Sequence, residues 1–155
     1  MSPAGSEYRF KVTAINYVGE GPLSNEITVI AATEPDQPLP PTKTGSSKTT
    51  ISISWTAPNS GGSPILSYTI LSKDANSAGL FTDITTAGVL DVAARTFTTD
   101  SSLTTGSSYY FKVLATNTVD VGPESNQSVA MIAAIVPSVP TSLAKLSSSS
   151  DTISV

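Results

Sequence analysis

The fold is decided by one stretch near the end of the chain, Leu103-Thr-Thr-Gly-Ser-Ser-Tyr-Tyr-Phe-Lys-Val-Leu-Ala-Thr-Asn117. It begins as a turn marked by Gly106 and two serines, and it continues as a β-strand. Because side chains of a strand alternate between its two faces, we expect one set to be buried and the other exposed. The expected inner set is Tyr109, Phe111, Val113 and Ala115, and the outer set is Tyr110, Lys112, Leu114 and Thr116.

The same pattern occurs earlier in the chain, where Tyr8 stands 101 positions before Tyr109. The offset also joins Asn16 to Asn117 and continues through the Gly-Pro pairs that follow them. A period near 100 residues is the length of a whole domain rather than of a solenoid repeat. The chain is therefore expected to hold the last strands of one domain (residues 1–34), a complete domain (35–135) and the first strands of a third (136–155).

The remaining sequence favours short strands separated by turns. Four prolines in residues 35–42 favour an extended, semi-rigid linker, and residues 135–142 form a second linker of this kind. Residues 87–94 carry alanines, but Gly88 and strand-like neighbours argue against a long helix there. Strands are predicted at residues 7–16, 25–32, 43–47, 49–55, 65–73, 79–85, 95–98, 107–117 and 127–134.

The composition excludes several classes of partner. The chain has 155 residues and a net charge of −4, so it lacks the basic surface that nucleic acid or an anionic membrane would need. Only 13% of its residues are charged, about half the usual share of roughly 25%. It contains no run of about 18 apolar residues, so no membrane insertion by this segment is expected.

Catalytic and metal-binding chemistry also lacks the residues it needs. The chain has no histidine and no cysteine, which removes the usual catalytic triads and thiolate or imidazole ligands. Its aspartates are scattered and do not follow a calcium-loop spacing. We therefore predict no enzyme activity, no catalytic residue, no cofactor and no metal site. One modification motif is present, Asn126-Gln127-Ser128, which is an N-glycosylation site only if the chain is secreted.

Several of these features together resemble a fibronectin type III domain. They are Trp55 on the second strand, Tyr68 on the third, Leu103 six residues before Tyr109, and the Gly-x-Gly-Pro-x-Ser-Asn segment after residue 18. The resemblance covers essentially the whole chain. It implies an all-β, seven-stranded immunoglobulin-like sandwich with sheets of three and four strands. In such a domain Trp55 fills the core and the Tyr109 hydroxyl bonds to backbone just upstream. The implied structural core comprises Trp55, Tyr68, Leu103, Tyr109, Phe111 and Val113.

The resemblance implies a non-catalytic structural or binding module in a tandem array. Its expected partners are neighbouring domains of the same chain, and other copies or other proteins are further candidates. The low charge and the richness in serine and threonine favour an extracellular or cell-surface setting. The alternatives are an intracellular cytoskeletal or ciliary scaffold, a subunit of a head-to-tail filament, and an accessory module of a larger secreted enzyme. No Arg-Gly-Asp adhesion tripeptide is present.

Overall fold

The computed structural model of the chain describes residues 4–139 and the backbone of two short strands beyond them. The described part consists of β-strands and their connections, which confirms the all-β prediction. Most of the predicted third unit, residues 136–155, lies outside the described residues. In chain order the strands are β1 (Glu7–Phe10), β2 (Ile27–Ile30), β3 (Thr42–Ser46), β4 (Ile51–Ser54), β5 (Ser67–Asp74), β6 (Thr82–Asp83), β7 (Gly88–Asp91), β8 (Thr96–Thr99), β9 (Ser108–Thr116), β10 (Met131–Ile132), β11 (Ser147–Ser148) and β12 (Ile153–Ser154).

Strands β3 to β10 form a sandwich of two antiparallel four-stranded sheets. One sheet has the order β3-β4-β8-β7, and the other has the order β10-β9-β5-β6. Apolar side chains from both sheets meet between them, since residues of β4, β8 and β9 alternate between buried and partly exposed positions. The buried core consists of Ile51, Ile53, Trp55, Tyr68, Ile70, Phe97, Tyr109, Phe111, Val113, Ala115, Met131 and Ala133.

The long strand β9 is central to its sheet. It pairs with β5 in a continuous antiparallel register that runs from Ser67 opposite Thr116 to Asp74 opposite Tyr109. Its residues alternate between buried and partly exposed positions along its entire length, as the sequence pattern predicts. Burying a large apolar side chain of this kind contributes about 1.5–3 kcal/mol. This strand therefore supplies much of the free energy that holds the two sheets together.

The sandwich has eight strands rather than the expected seven, because β7 adds an edge to the first sheet. Its residues pair with β8 from Gly88 opposite Thr99 to Asp91 opposite Thr96. The hairpin between them closes through the Asp91 carboxylate, which accepts the backbone N–H of Ala94 at 2.8 Å. Strand β7 has only two large apolar residues and is followed by alanines, so the sequence periodicity does not predict it.

Serine hydroxyls replace backbone partners beside β9, which shortens the predicted last strand to β10. Ser125 and Ser128 accept the backbone N–H groups of Val113 and Phe111, each at 3.0 Å, through their side-chain oxygens. Both serines are buried, and every third residue of this segment faces β9. The segment therefore follows β9 with three residues for every two and forms no regular ladder. Ser24 occupies the equivalent position in the first repeat.

The first repeat contributes the antiparallel pair β1–β2. Here Tyr8 pairs with Val29, whereas in the second repeat Tyr109 pairs with Met131, so the second repeat contains one additional residue. The first-repeat side chains are also more exposed, with Tyr8 at 37% and Phe10 at 51%. The two repeats thus share a strand pattern and differ in how much of it is covered in the described structure.

Candidate functional site

Among residues 4–139, no three potential ligands from histidine, cysteine, aspartate and glutamate lie together. The described part contains no helix long and apolar enough to span a membrane. The most specific arrangement of polar contacts instead lies where residues 31–38 meet the loops of the second repeat. These residues overlap the predicted linker of residues 35–42 and are called the first linker from here on.

The first linker lies against the loop that follows β4. Thr33 donates its backbone N–H to the carbonyl of Gly61 at 2.8 Å, and Asp36 donates to the carbonyl of Asn59 at 2.9 Å. Burial in residues 35–41 recurs at every third residue, as it would on one face of a polyproline II helix. The prolines thus place the linker on the surface of the second repeat, where two backbone hydrogen bonds hold it.

Asn117 joins three segments through its buried side-chain amide. Its Nδ2 donates to the carbonyls of Thr33 at 2.7 Å and Ser60 at 2.8 Å. Its Oδ1 accepts the backbone N–H groups of Val119 at 2.8 Å and Asp120 at 3.2 Å. Both donors and the acceptor oxygen of the amide are therefore used. A single side chain fixes its own turn, the loop after β4 and the first linker.

Gly122 provides the space in which the linker lies. A Cβ atom added there would collide with the backbone oxygen of Pro35, whose side chain is fully buried. Beyond this point Gln37 donates through Nε2 to the carbonyl of Glu124 at 2.6 Å. The groove of residues 115–122, hereafter the second-repeat groove, therefore holds the linker by polar contacts and close backbone approach.

Two glycines permit the same close approach on the other side of the linker. Gly61 and Gly62 have positive φ angles of 68° and 87°. A Cβ at Gly61 would collide with the backbone oxygen of Thr33, and one at Gly62 would collide with the backbone of Gly5. Their lack of a side chain thus serves both the turn and the contact between the repeats.

A small cleft lies beside this contact. Its volume is about 230 Å³, and its wall includes the hydrogen-bonded hydroxyls of Ser63 and Thr118, 2.7 Å apart. The cleft is open, and its lining is drawn from both repeats. Its lining residues are Ile30, Ala32, Gly62, Ser63, Pro64, Thr118 and Val119.

The residues expected to form the structural core surround the centre of the sandwich. The Tyr109 hydroxyl accepts the backbone N–H of Thr104 at 3.0 Å, while Leu103 is partly buried against the core. The rings of Trp55 and Tyr68 meet edge to face with centroids 5.1 Å apart. Burial raises the pKa of the Tyr68 hydroxyl above its ordinary value. Phe111 and Val113, the remaining two residues of the expected set, are fully buried.

The glycosylation motif has a structural role in the folded chain. Asn126 is exposed, but the Ser128 hydroxyl is buried and accepts the backbone N–H of Phe111. The serine of the motif thus contributes to the pairing with β9. Modification of Asn126 stays a prediction that depends on secretion.

The contact between the first linker and the second repeat is not evident from the sequence. Asn117 and Gly122 repeat Asn16 and Gly21 at an offset of 101 positions, which shows only that these two residues recur. The contact joins Asn117 to Thr33, which is 84 positions away. The available sequence signal was that an asparagine and a glycine recur in the loop that precedes the last strand of each repeat.

Known proteins share the sequence features of this architecture. The family model described as "Fibronectin type III domain" matches residues 36–131. The chain is 35% identical over 129 residues to "M-protein, striated muscle" of Gallus gallus, and 32% identical over 129 residues to "Myomesin-2" of Homo sapiens. Each match covers 80% of this chain but only 9% and 8% of the relative, respectively. The chain thus spans about a tenth of the length of these relatives.

Solved structures support the same fold. Domains A168–A170 of titin match with a TM-score of 0.63 and 24% identity, covering 82% of this chain and 41% of that one. The FN1–FN3 domains of chicken CNTN1 match with a TM-score of 0.51 and 22% identity, covering 86% of this chain and 44% of that one. Both of these structures contain several consecutive domains.

Proposed function

Because this chain belongs to the fibronectin type III family, we propose that it is a non-catalytic structural module that holds neighbouring modules at fixed spacing and orientation. In this proposal residues 1–34 end one domain, residues 35–135 form a complete domain and residues 136–155 begin a third. Its first partners are then the adjacent domains of its own chain.

The contact between linker and groove carries this proposal. A linker that only tethered two modules would leave its backbone hydrogen bonds to solvent. Here Thr33 donates to one loop of the second repeat and accepts from Asn117 on another. Because these bonds converge on one residue between the repeats, changing the angle between the repeats would break several of them together. The linker therefore acts as a rigid joint.

The relatives favour a cytoskeletal scaffold over the extracellular setting that the composition suggested. M-protein is named for striated muscle, and it and myomesin-2 match most of this chain. A rigid joint suits a protein that must keep a fixed spacing under load. We therefore propose the cytoskeletal setting for the array to which this chain belongs.

Rigidity can be tested by ¹⁵N relaxation of the full chain. We expect the amides of β1–β2 and those of β5 and β9 to report one common rotational correlation time. Asn117→Asp removes the donors to Thr33 and Ser60 while retaining the oxygen that accepts from the turn. We expect this variant to give the first repeat a shorter correlation time than the second.

Asn16→Asp is the matched control, since Asn16 accepts the equivalent turn bonds and makes no described contact with a linker. It should leave the common correlation time unchanged. Independent tumbling of the repeats in the wild-type chain, or equal effects of both substitutions, would overturn the proposed joint.

A further inference from the structure

The first repeat contains a groove built like the one that holds the linker. This first-repeat groove comprises residues 14–21, which stand 101 positions before the second-repeat groove of residues 115–122. Gly21 donates to the carbonyl of Ala14 at 2.9 Å, as Gly122 does to that of Ala115 at 2.9 Å. Asn16 caps its turn through Oδ1 at 2.8 and 3.2 Å, the same two distances found at the Asn117 turn.

The two grooves differ in what occupies them. The second-repeat groove holds Thr33 and Pro35 of the first linker. The first-repeat groove is open, with a volume of about 450 Å³, and the Nδ2 of Asn16 makes no hydrogen bond within the described part of the chain. Its lining residues are Ala14, Asn16, Val18, Gly19, Glu20 and Gly21.

The glycine at position 21 is also consistent with a linker lying in the first-repeat groove. At Gly122 a Cβ atom would strike the linker backbone, so a glycine is needed there because the linker is present. At Gly21 an added Cβ would meet only the backbone oxygen of Ala14 at 3.3 Å, which a small shift relieves. The described contacts of the first repeat therefore do not demand this glycine, whereas a linker lying over it would.

The linkers of this chain share one chemical pattern. Residues 31–38 and 133–140 both read Ala-Ala-x-x-Pro-x-x-Pro, and each follows the last strand of a repeat. The strand ends are held alike, since Gly5 donates to Ala31 at 2.7 Å and Gly106 donates to Ala133 at 2.9 Å. The pattern thus belongs to the junction between repeats and not to one linker alone.

We propose that the first-repeat groove binds an extended Ala-Ala-x-x-Pro-x-x-Pro linker from the preceding module of the array. The carbonyl of its third residue accepts from Nδ2 of Asn16, and its first proline lies over Gly21, as Thr33 and Pro35 do in the second-repeat groove. This inference rests on the proposed function, because it requires that the chain is part of a tandem array.

The test supplies such a linker to the intact chain. An extended protein carries a second copy of residues 30–105 in place of residues 1–4. This copy places the linker pattern, the loop after β4 and the strands β3 to β8 before the first repeat. We expect the side-chain NH₂ protons of Asn16 to exchange about tenfold more slowly in the extended protein than in the natural chain. Asn16→Asp in the extended protein should release the added linker and leave the Asn117 protons unchanged.

Two further results decide the occupant. Unchanged Asn16 exchange in the extended protein, together with no shift of Asn16 or Gly21 signals on adding a peptide of residues 31–38, would overturn the inference. Concentration-dependent protection of Asn16 in the natural chain, accompanied by association, would assign the groove to residues 135–139 of a second copy instead. Failure of the proposed function itself is distinguished by rapid exchange of the Asn117 side-chain protons in the natural chain.

Discussion

The side-chain amide of Asn117 donates to the backbone carbonyl of Thr33 over 2.7 Å, and this bond links the end of β9 to the first linker. The same amide donates to Ser60 and caps its own turn. Because Asn117 is buried, its polar atoms depend on these partners rather than on water. The hydrogen bonds of this one amide thus help to fix the orientation of the two repeats.

We expect Asn117→Asp to lower the free energy of unfolding by about 1–3 kcal/mol, because the carbonyls of Thr33 and Ser60 lose their donor. Urea unfolding followed by Trp55 fluorescence measures the change. The control Asn16→Asp, at an exposed turn, should cost less than about 0.5 kcal/mol. If the two variants lose the same stability, the turn and not the linker contact accounts for the effect.

Gly122→Ala should displace the first linker, because the new methyl group would overlap the backbone oxygen of Pro35. The expected loss in unfolding free energy is about 1–3 kcal/mol, typical of overpacking at a close contact. Gly21→Ala is the matched control and should change the stability of the natural chain by less than about 1 kcal/mol. A tolerated Gly122→Ala would show that the linker is not seated as described.

Tyr109→Phe removes the hydroxyl that accepts the backbone N–H of Thr104. Leaving this partly buried donor unpaired should cost about 1–3 kcal/mol in denaturant unfolding. The equivalent Tyr8→Phe, whose hydroxyl makes no hydrogen bond in the described structure, should be nearly neutral. A neutral Tyr109→Phe would argue that the corner bond contributes nothing to stability.

Trp55→Ala should cost about 3–5 kcal/mol, because it empties the space between the sheets and removes the partner of the Tyr68 ring. Circular dichroism during urea unfolding measures the loss, since the variant has no tryptophan fluorescence. Trp55→Phe should recover part of it by refilling the cavity. A loss below about 1 kcal/mol for the alanine variant would place Trp55 outside the energetic core.

The cytoskeletal proposal predicts that Asn126 carries no glycan in the native protein. Tryptic mapping by mass spectrometry, with and without peptide N-glycosidase, would detect a modification at this exposed residue. A glycan at Asn126 would require passage through the secretory pathway and would return the extracellular setting to first place.

Local periodicity was sufficient to predict the strands that fill the core. Alternation places Phe111 and Val113 on one face of β9, and the structure buries both completely. Two-residue alternation predicts a face only where the backbone pairs regularly. The predicted last strand is therefore too long, because within it the Ser128 hydroxyl accepts the backbone N–H of Phe111 in place of a backbone carbonyl.

The contact between the repeats depends on how the chain turns after β2, and this cannot be derived from the spacing of residues. The Gly61–Gly62 pair marks a turn in any reading of the sequence. That the turn also receives the linker follows only from the path that brings Thr33 within 2.8 Å of Gly61. The prolines of this linker predict a spacer, whereas the structure places the linker on the surface of the second repeat.

The most direct test of the rigid joint is hydrogen exchange of two linker amides in the full chain. Thr33 and Asp36 donate to backbone carbonyls of the second repeat at 2.8 and 2.9 Å. Both amides should exchange much more slowly than the same residues in a free peptide of residues 31–38, and Asn117→Asp should accelerate the exchange of Thr33. Exchange at the rate of the free peptide in the wild-type chain would show that the linker is a flexible tether and would contradict the account.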